Sequence, residues 1–360
     1  MTDVLLLTGA TGMVGREVLR RAAADRRFRA VLCLIRPTAD ATAEQRLEQL
    51  AEGNDIDTAR LHAVAGDVTE PGLGVAPALL SEVTRVIHCA ATVSFDLPLE
   101  KARRINVDGT RNVIEVCAGL PRLRRLDAVS TCYVAGRRDG LILESDLDHD
   151  AGFHNTYEQT KYEAEHLLRA AMTDLPVAVH RPSIVVGDSR TGRTGAWKVL
   201  YRPLKVIARG WLPVIPYDPG ARLDIVPVDF VADAILTLSA DPSTLGGTFH
   251  LAAGPGRDTT TGEMFPRVFA MLERRAPVRV PPVVFRRALR PLLMLVPDQR
   301  LRRTLQAGLV YRPYLEMRLQ FDTTNADEAL ASAGLECPAV LDYIDTIVRT
   351  ALDTDFGRIR

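Results

Sequence analysis

The stretch Val4-Leu5-Leu6-Leu7-Thr8-Gly9-Ala10-Thr11-Gly12-Met13-Val14-Gly15 decides the fold. An apolar run of strand length ends at Thr8, glycines follow at a fixed spacing, and Gly15–Ala24 carries the period of an amphipathic helix. Gly9 permits a sharp turn, Gly12 lets backbone approach a pyrophosphate with no Cβ in the way, and Gly15 lets the helix lie close on the sheet. The N–H groups around Thr11, Met13 and Val14, at the positive end of that helix, would face phosphates. An ordinary tight turn is the bland alternative, and the strand before and helix after the glycines weigh against it.

Outward from this stretch the same rhythm repeats. Ala30–Ile35, His62–Ala65, Arg85–Cys89, Leu126–Ser130 and Val177–Arg181 are short apolar runs. Helical patterns at Ala43–Ala51, Glu100–Ala118 and Tyr157–Met172 alternate with them. Such alternation predicts an α/β fold, a doubly wound parallel (Rossmann) sheet with helices on both faces. The runs are continuously apolar, as strands buried on both sides require. After Gly187 the rhythm breaks. Asp188–Gly195 is polar and Gly-rich, Arg202–Gly220 is rich in proline, Val228–Ala240 reads as a helix and Gly247–Ala252 as a late strand. Beyond Thr260 the chain reads as helical, proline-punctuated and basic. The expected organisation is a nucleotide-binding core over 1–187, with 222–252 returning to it. A smaller, mainly helical substrate-binding part takes 188–221 and 253–360.

Composition narrows the classes. Of 360 residues 47% are hydrophobic and 25% charged, enough apolar material for a normal core. Lys+Arg and Asp+Glu both number 45, so no general attraction for nucleic acid is expected. The lysines are only Lys101, Lys161, Lys198 and Lys205, so a lysine in a catalytic spacing stands out. Cys33, Cys89, Cys117, Cys132 and Cys337 are scattered without a CxxC pair, which fits a reduced, cytoplasmic chain with no metal site. No signal peptide is read at the N-terminus, and no apolar run is long enough to cross a bilayer.

The strand ends carry the candidate site. Arg36 stands after the second strand, where an NAD site would place an acid for the ribose 2′-OH. A guanidinium there suits a 2′-phosphate, with Arg16 as a possible helper, and NADPH is the expected cofactor. Asp67 and Val68 end the third strand, where the carboxylate can accept from an adenine amino group or cap the next helix. Cys89, Ala90 and Ala91 end the fourth, leaving room for ribose and nicotinamide, whereas His88 is read as a packed histidine.

Tyr157 and Lys161 lie four apart on a helix and so share a face. A lysine ammonium there is expected to draw the phenol below its usual value near ~10, making Tyr157 a usable acid. Lys161 can also bond the nicotinamide ribose. The third member is a hydroxyl at the preceding strand end that donates to a substrate carbonyl oxygen, Thr131 in first place and Ser130 as fallback.

These residues resemble the extended short-chain dehydrogenase/reductases, and within them the fatty acyl-CoA reductase and thioester reductase branch. The match runs through Thr8–Gly15, Leu34-Ile35-Arg36, His88–Asp96, Asn106–Thr110, Val129–Val134, Tyr157–Lys161 and His180–Gly192. It is good over about residues 1–255 and thinner beyond, although Tyr314–Thr323 and Ala339–Ala351 still look related. The resemblance implies a triad at Thr131, Tyr157 and Lys161. It also implies NADPH held by Arg36 among others, Pro182 and Ser183 at the cofactor site, and Asn106 supporting a proton relay or local backbone. Sugar-nucleotide dehydratases of this superfamily follow the catalytic threonine with an Asp-Glu pair. Cys132-Tyr133 stands here instead, which argues against dehydration.

The expected activity is reduction of an acyl thioester, on CoA or on a carrier protein, to an aldehyde, which a second hydride could carry to the alcohol. Ketone, aldehyde or hydroxysteroid-type redox chemistry is the alternative with the same triad. A non-catalytic NADP-binding role is a third reading, weakened by the retained Tyr157 and Lys161. The apolar, basic run Val283–Val296 could pack between domains, line an acyl tunnel, touch a membrane surface or meet a carrier's phosphopantetheine.

Overall fold

The computed structural model describes residues 2–197, 200–211, 214–272, 276–289 and 309–358. Seven strands form the central sheet: β1 (Asp3–Thr8), β2 (Phe28–Ile35), β3 (Leu61–Ala65), β4 (Arg85–His88), β5 (Arg125–Val129), β6 (Val177–Pro182) and β7 (Thr248–Leu251). Their order is β7-β6-β5-β4-β1-β2-β3, with every neighbouring pair parallel. The doubly wound sheet expected from the sequence is thus present.

Both faces of the sheet are covered, which is why β1 is apolar throughout. Leu5 and Leu7 join one buried cluster, with Val31, Cys33 and Ile87. Val4 and Leu6 join the opposite one, with Val64, Val86 and Leu126. Helix α1 (Met13–Ala24) buries Gly15, Val18, Leu19, Ala22 and Ala23 against the first face. Helix α2 (Ala43–Glu52) begins with a capping box between Thr42 and Gln45. Helix α3 (Gly109–Ala118) continues from a widened turn at Arg104–Asp108. Helix α4 (Thr156–Ala171) is capped by Asn155, whose Oδ1 accepts from Glu158 N at 3.0 Å.

The later segments are more varied than their sequence pattern. Tyr201–Ala208 is a helix and Val214–Pro216 a strand that pairs with Val278–Val280. Leu319–Phe321 pairs with Gly140–Ile142. Three-residue strands are too short to show a period, so the sequence reading left them as loop or helix. Helices α5 (Val228–Ala240) and Val340–Asp353 pack into the same cluster as α1. The run expected at Val283–Val296 is described only to residue 289, as Pro282–Val284 and the widened turn Phe285–Leu289; the rest lies outside the described residues. Among the described residues, no helix is long and apolar enough to cross a membrane.

One buried ion pair joins α4 to the sheet. Arg181 Nη2 lies 2.6 Å from Glu165 Oε1, both side chains fully buried. Arg181 also donates to the carbonyl of Asp146 at 2.7 Å, and Ser130 Oγ donates to Glu165 Oε2 at 2.6 Å. Removing one partner leaves an uncompensated charge in the interior. Arg181→Met should therefore cost about 3–5 kcal/mol in denaturant unfolding. Arg181→Met with Glu165→Met together should cost less than the single change.

Candidate active site

The strand order reverses between β1 and β4, and a doubly wound sheet takes its ligand in the crevice beyond the carboxyl ends at such a point. Thr8 and His88 are register partners, and Thr8 Oγ1 bonds His88 Nδ1 at 2.7 Å. His88 also meets Thr110 at 3.3 Å, and burial pushes its imidazole down to about 3. It is a neutral, packed histidine at the crevice floor. Gly9 has φ +72°, and a Cβ there would lie 2.6 Å from Ala90 N. A Cβ on Gly15 would stand 2.2 Å from Gly9 O. These two glycines are thus demanded by the turn itself. Gly12 differs: an added Cβ would meet only Gly9 O, at 3.2 Å, and Thr11 and Gly12 are exposed. No side chain caps α1 at Gly12, so its first N–H groups face the crevice, with Met13 and Val14 partly exposed beside them.

Around this turn the other strand ends converge. Arg36, its side chain 69% exposed, pairs with Asp67 at 3.3 Å. Asp67 also accepts from Thr69 N and Oγ1, and its carboxyl is held below the usual range. Val68 is buried against Gly109. The Arg16 guanidinium lies against Gly195, and Nη2 is 3.5 Å from the carbonyl of Thr11. The 188–196 loop thereby covers the start of α1, with Thr194 Oγ1 3.8 Å from Met13 Sδ. Helix Val340–Asp353 braces that loop. Thr350 Oγ1 donates to Thr191 O at 3.0 Å, and a Cβ on Gly192 would reach within 2.2 Å of Thr350.

The candidate triad sits where β5 ends against α4. Thr131 is buried, accepts from Tyr133 N at 3.3 Å and donates to Pro182 O at 3.3 Å. Its hydroxyl also faces the Tyr157 phenol and acts to lower that phenol's pKa. Ser130 points elsewhere, into the Glu165–Arg181 pair. Lys161 is buried and donates from Nζ to Val129 O at 2.8 Å. Asn106, in the widened turn, clamps the loop after β4: Oδ1 accepts from Thr92 N at 2.8 Å, while Nδ2 donates to Thr92 O and to Thr160 Oγ1. Ser183 follows at the end of β6, its N–H on Leu251 O. Cys89 and Ala90, partly exposed, lie against Gly9, and Ala91 beyond them is exposed.

One expectation is corrected. The phenol of Tyr157 is not drawn down by Lys161. Burial pushes it up to about 12, Thr131 pulls against that, and the Glu158 charge adds to it. The two side chains share a helix face, but the lysine stem runs along the end of β5 to a carbonyl instead of lying on the phenol. Burial in turn lowers the Lys161 ammonium to about 8.

The sequence reading also missed an aromatic wall. The Phe95 ring lies 5.9 Å from Tyr157, 5.5 Å from Tyr311 and 5.6 Å from Tyr314. Tyr133 stands edge-on to Tyr314 at 5.2 Å. The only signal was Phe95 inside the branch-specific His88–Asp96 run.

The chain matches the model of an NAD-binding family described as male sterility protein over residues 7–235. It is 28% identical, over 94% of its length, to an aldehyde reductase of Aspergillus flavus, and spans 35% of that protein. It is 29% identical, over 66% of its length, to a fatty acyl-CoA reductase of Drosophila melanogaster, and spans 54% of that one. Thus it covers about a third to about half of these curated relatives. The crystal structure of the terminal R domain from the myxalamid PKS-NRPS biosynthetic pathway is similar with a TM-score of 0.85 at 28% identity, covering 99% of this chain and 92% of that one. The family match takes in more than half of the chain, which therefore belongs to the NAD-binding family described as male sterility protein, among the extended short-chain dehydrogenase/reductases.

Proposed function

We propose that the protein is an NADPH-dependent reductase of acyl thioesters, carried on CoA or on a phosphopantetheine arm, that yields an aldehyde, which a second hydride could carry to the alcohol. The observation that carries this reading is that two hydroxyls, Thr131 and Tyr157, face each other at the end of β5, with Lys161 bound to Val129 O beside them. The reductase names of the similar proteins support the same chemistry. The crevice fits a dinucleotide: an uncapped helix end, an exposed Gly12 face and a solvent-facing arginine where a 2′-phosphate would lie. Arg36, the Thr11–Gly15 turn, Asp67, Val68, Cys89–Ala91, Lys161, Pro182 and Ser183 would hold it. The division of the chain at 187, with 222–252 returning, belongs to this proposal. It is supported by β7 joining the central sheet and by the aromatic wall, which draws on Tyr311 and Tyr314.

Bound NADPH supplies the hydride. Thr131 and Tyr157 donate hydrogen bonds to the thioester oxygen as negative charge gathers there. Tyr157 stays a phenol across the neutral range and gives that oxygen its proton. The hydroxyl O–H and the carbon–sulfur bonds of the resulting hemithioacetal then break, the proton passing to the departing sulfur, and leave aldehyde and free thiol. Lys161, fixed on Val129 O, keeps a positive charge below the site.

Three measurements bear on this. Tyr157→Phe should lower turnover of an acyl thioester at least about a hundredfold. Cofactor affinity, read by fluorescence titration, should hold, and activity near wild type would refute the assignment. Arg36→Ala should raise KM for NADPH roughly ten- to a hundredfold and leave that for NADH nearly unchanged. Lys161 is charged below its folded value of about 8 and neutral above it, so kcat/KM should fall about tenfold per pH unit beyond that point. A profile still flat at about pH 10 would remove Lys161 from the reaction.

A further inference from the structure

We propose that Tyr314 and Glu158 are positioning residues for Tyr157: their hydrogen bond fastens the 309–315 segment to the first turn of the helix that carries the phenol. This rests on the reductase reading only for its kinetic arm.

Glu158 is fully buried at the third position of α4. A carboxylate at that depth is costly unless its oxygens are met. Among the described residues no lysine or arginine pairs with it. Oε2 accepts from His154 N at 2.8 Å and lies 3.0 Å from His154 Nδ1. Oε1 accepts from Tyr314 Oη at 2.5 Å and from Asn155 Nδ2 at 3.4 Å. A glutamate at this helix position ordinarily reaches back to the cap residue's own N–H. Here it reaches one residue earlier and gives its other oxygen to a tyrosine 156 positions away.

Tyr314 then touches the reactive hydroxyls by two further routes. Its ring stacks on Phe95, with an interplanar angle of 21°, and Phe95 in turn lies on Tyr157. Its edge meets Tyr133, whose N–H is bound by Thr131. Asn155 Nδ2, on the cap that starts α4, donates to Tyr314 Oη at 2.8 Å. The phenol of Tyr157 is faced by Thr131, Cys132 and Glu158, and the Glu158 charge is one reason it keeps its proton. A tyrosine far along the chain is therefore wired to the cap, to the neighbour of the reactive phenol and to the ring packed against it. Simple core packing would be served by phenylalanine.

The test compares Tyr314→Phe, Glu158→Gln and the double variant with the unaltered chain. Tyr314→Phe keeps the ring stack and loses only the hydroxyl. Each single change should lower kcat about ten- to a hundredfold, with KM and cofactor affinity little changed. The double variant should be no slower than the slower single. In tyrosine-labelled NMR, with Tyr157 assigned through Tyr157→Phe, Glu158→Gln should bring the onset of phenol ionisation to lower pH. Wild-type kcat in Tyr314→Phe, losses that multiply in the double variant, or an unmoved Tyr157 titration would each overturn the proposal. If Glu158→Gln does not fold, Tyr314→Phe decides alone through its kcat. If no thioester is reduced by the unaltered chain, the reductase reading fails while the titration still reports whether Glu158 acts on Tyr157.

Discussion

The buried pair between Glu165 and Arg181 holds the site together. Tyr157, Lys161 and Glu165 follow one another at intervals of four along α4, so one helix face presents a phenol, an ammonium and a carboxylate in a row. The lowest of the three is locked to β6 by Arg181. Lys161 is tied to the end of β5 one turn above, and Tyr157 meets Thr131 at the top. The first contact is made on β6 and the other two at the carboxyl end of β5. The helix can therefore neither rotate nor slide without breaking buried polar contacts, and breaking those is expensive.

The nucleotide end of the crevice is governed by steric exclusion. Gly9 and Gly15 are glycines because their own backbone neighbours leave no room for a Cβ. Gly12 is less confined: a Cβ there would meet Gly9 O at 3.2 Å, a tight but milder contact, on an exposed face. One motif thus contains glycines under different degrees of steric demand.

Much of this was readable in the residues. The run from Val4 to Gly15, the repeat of apolar strands, and Tyr157 with Lys161 are local patterns, and local patterns report on the sheet and on one helix face. The choice between Thr131 and Ser130 needed the direction of each side chain, and Ser130 turns into the Glu165–Arg181 pair. The direction of the Tyr157 shift was misread because spacing gives a shared face but not the length and course of a lysine stem. The meeting of Phe95, Tyr311, Tyr314 and Glu158 was hidden for another reason. They meet across some 156 positions of chain, as Tyr314 and Glu158 do, and no periodicity encodes that.

The contact between Gly192 and Thr350 carries a consequence for how this chain can vary. The outer lip of the dinucleotide crevice hangs from the final helix, which in turn is seated by Tyr343, Ile344, Ile347 and Val348 in the same apolar layer as α1. Drift in that inner stripe would loosen the grip on a nucleotide without altering a single atom that faces one. Variation in affinity among related chains can accordingly originate in apolar substitutions more than three hundred residues downstream of the glycine turn, acting as a change of hinge tension instead of a change of ligand.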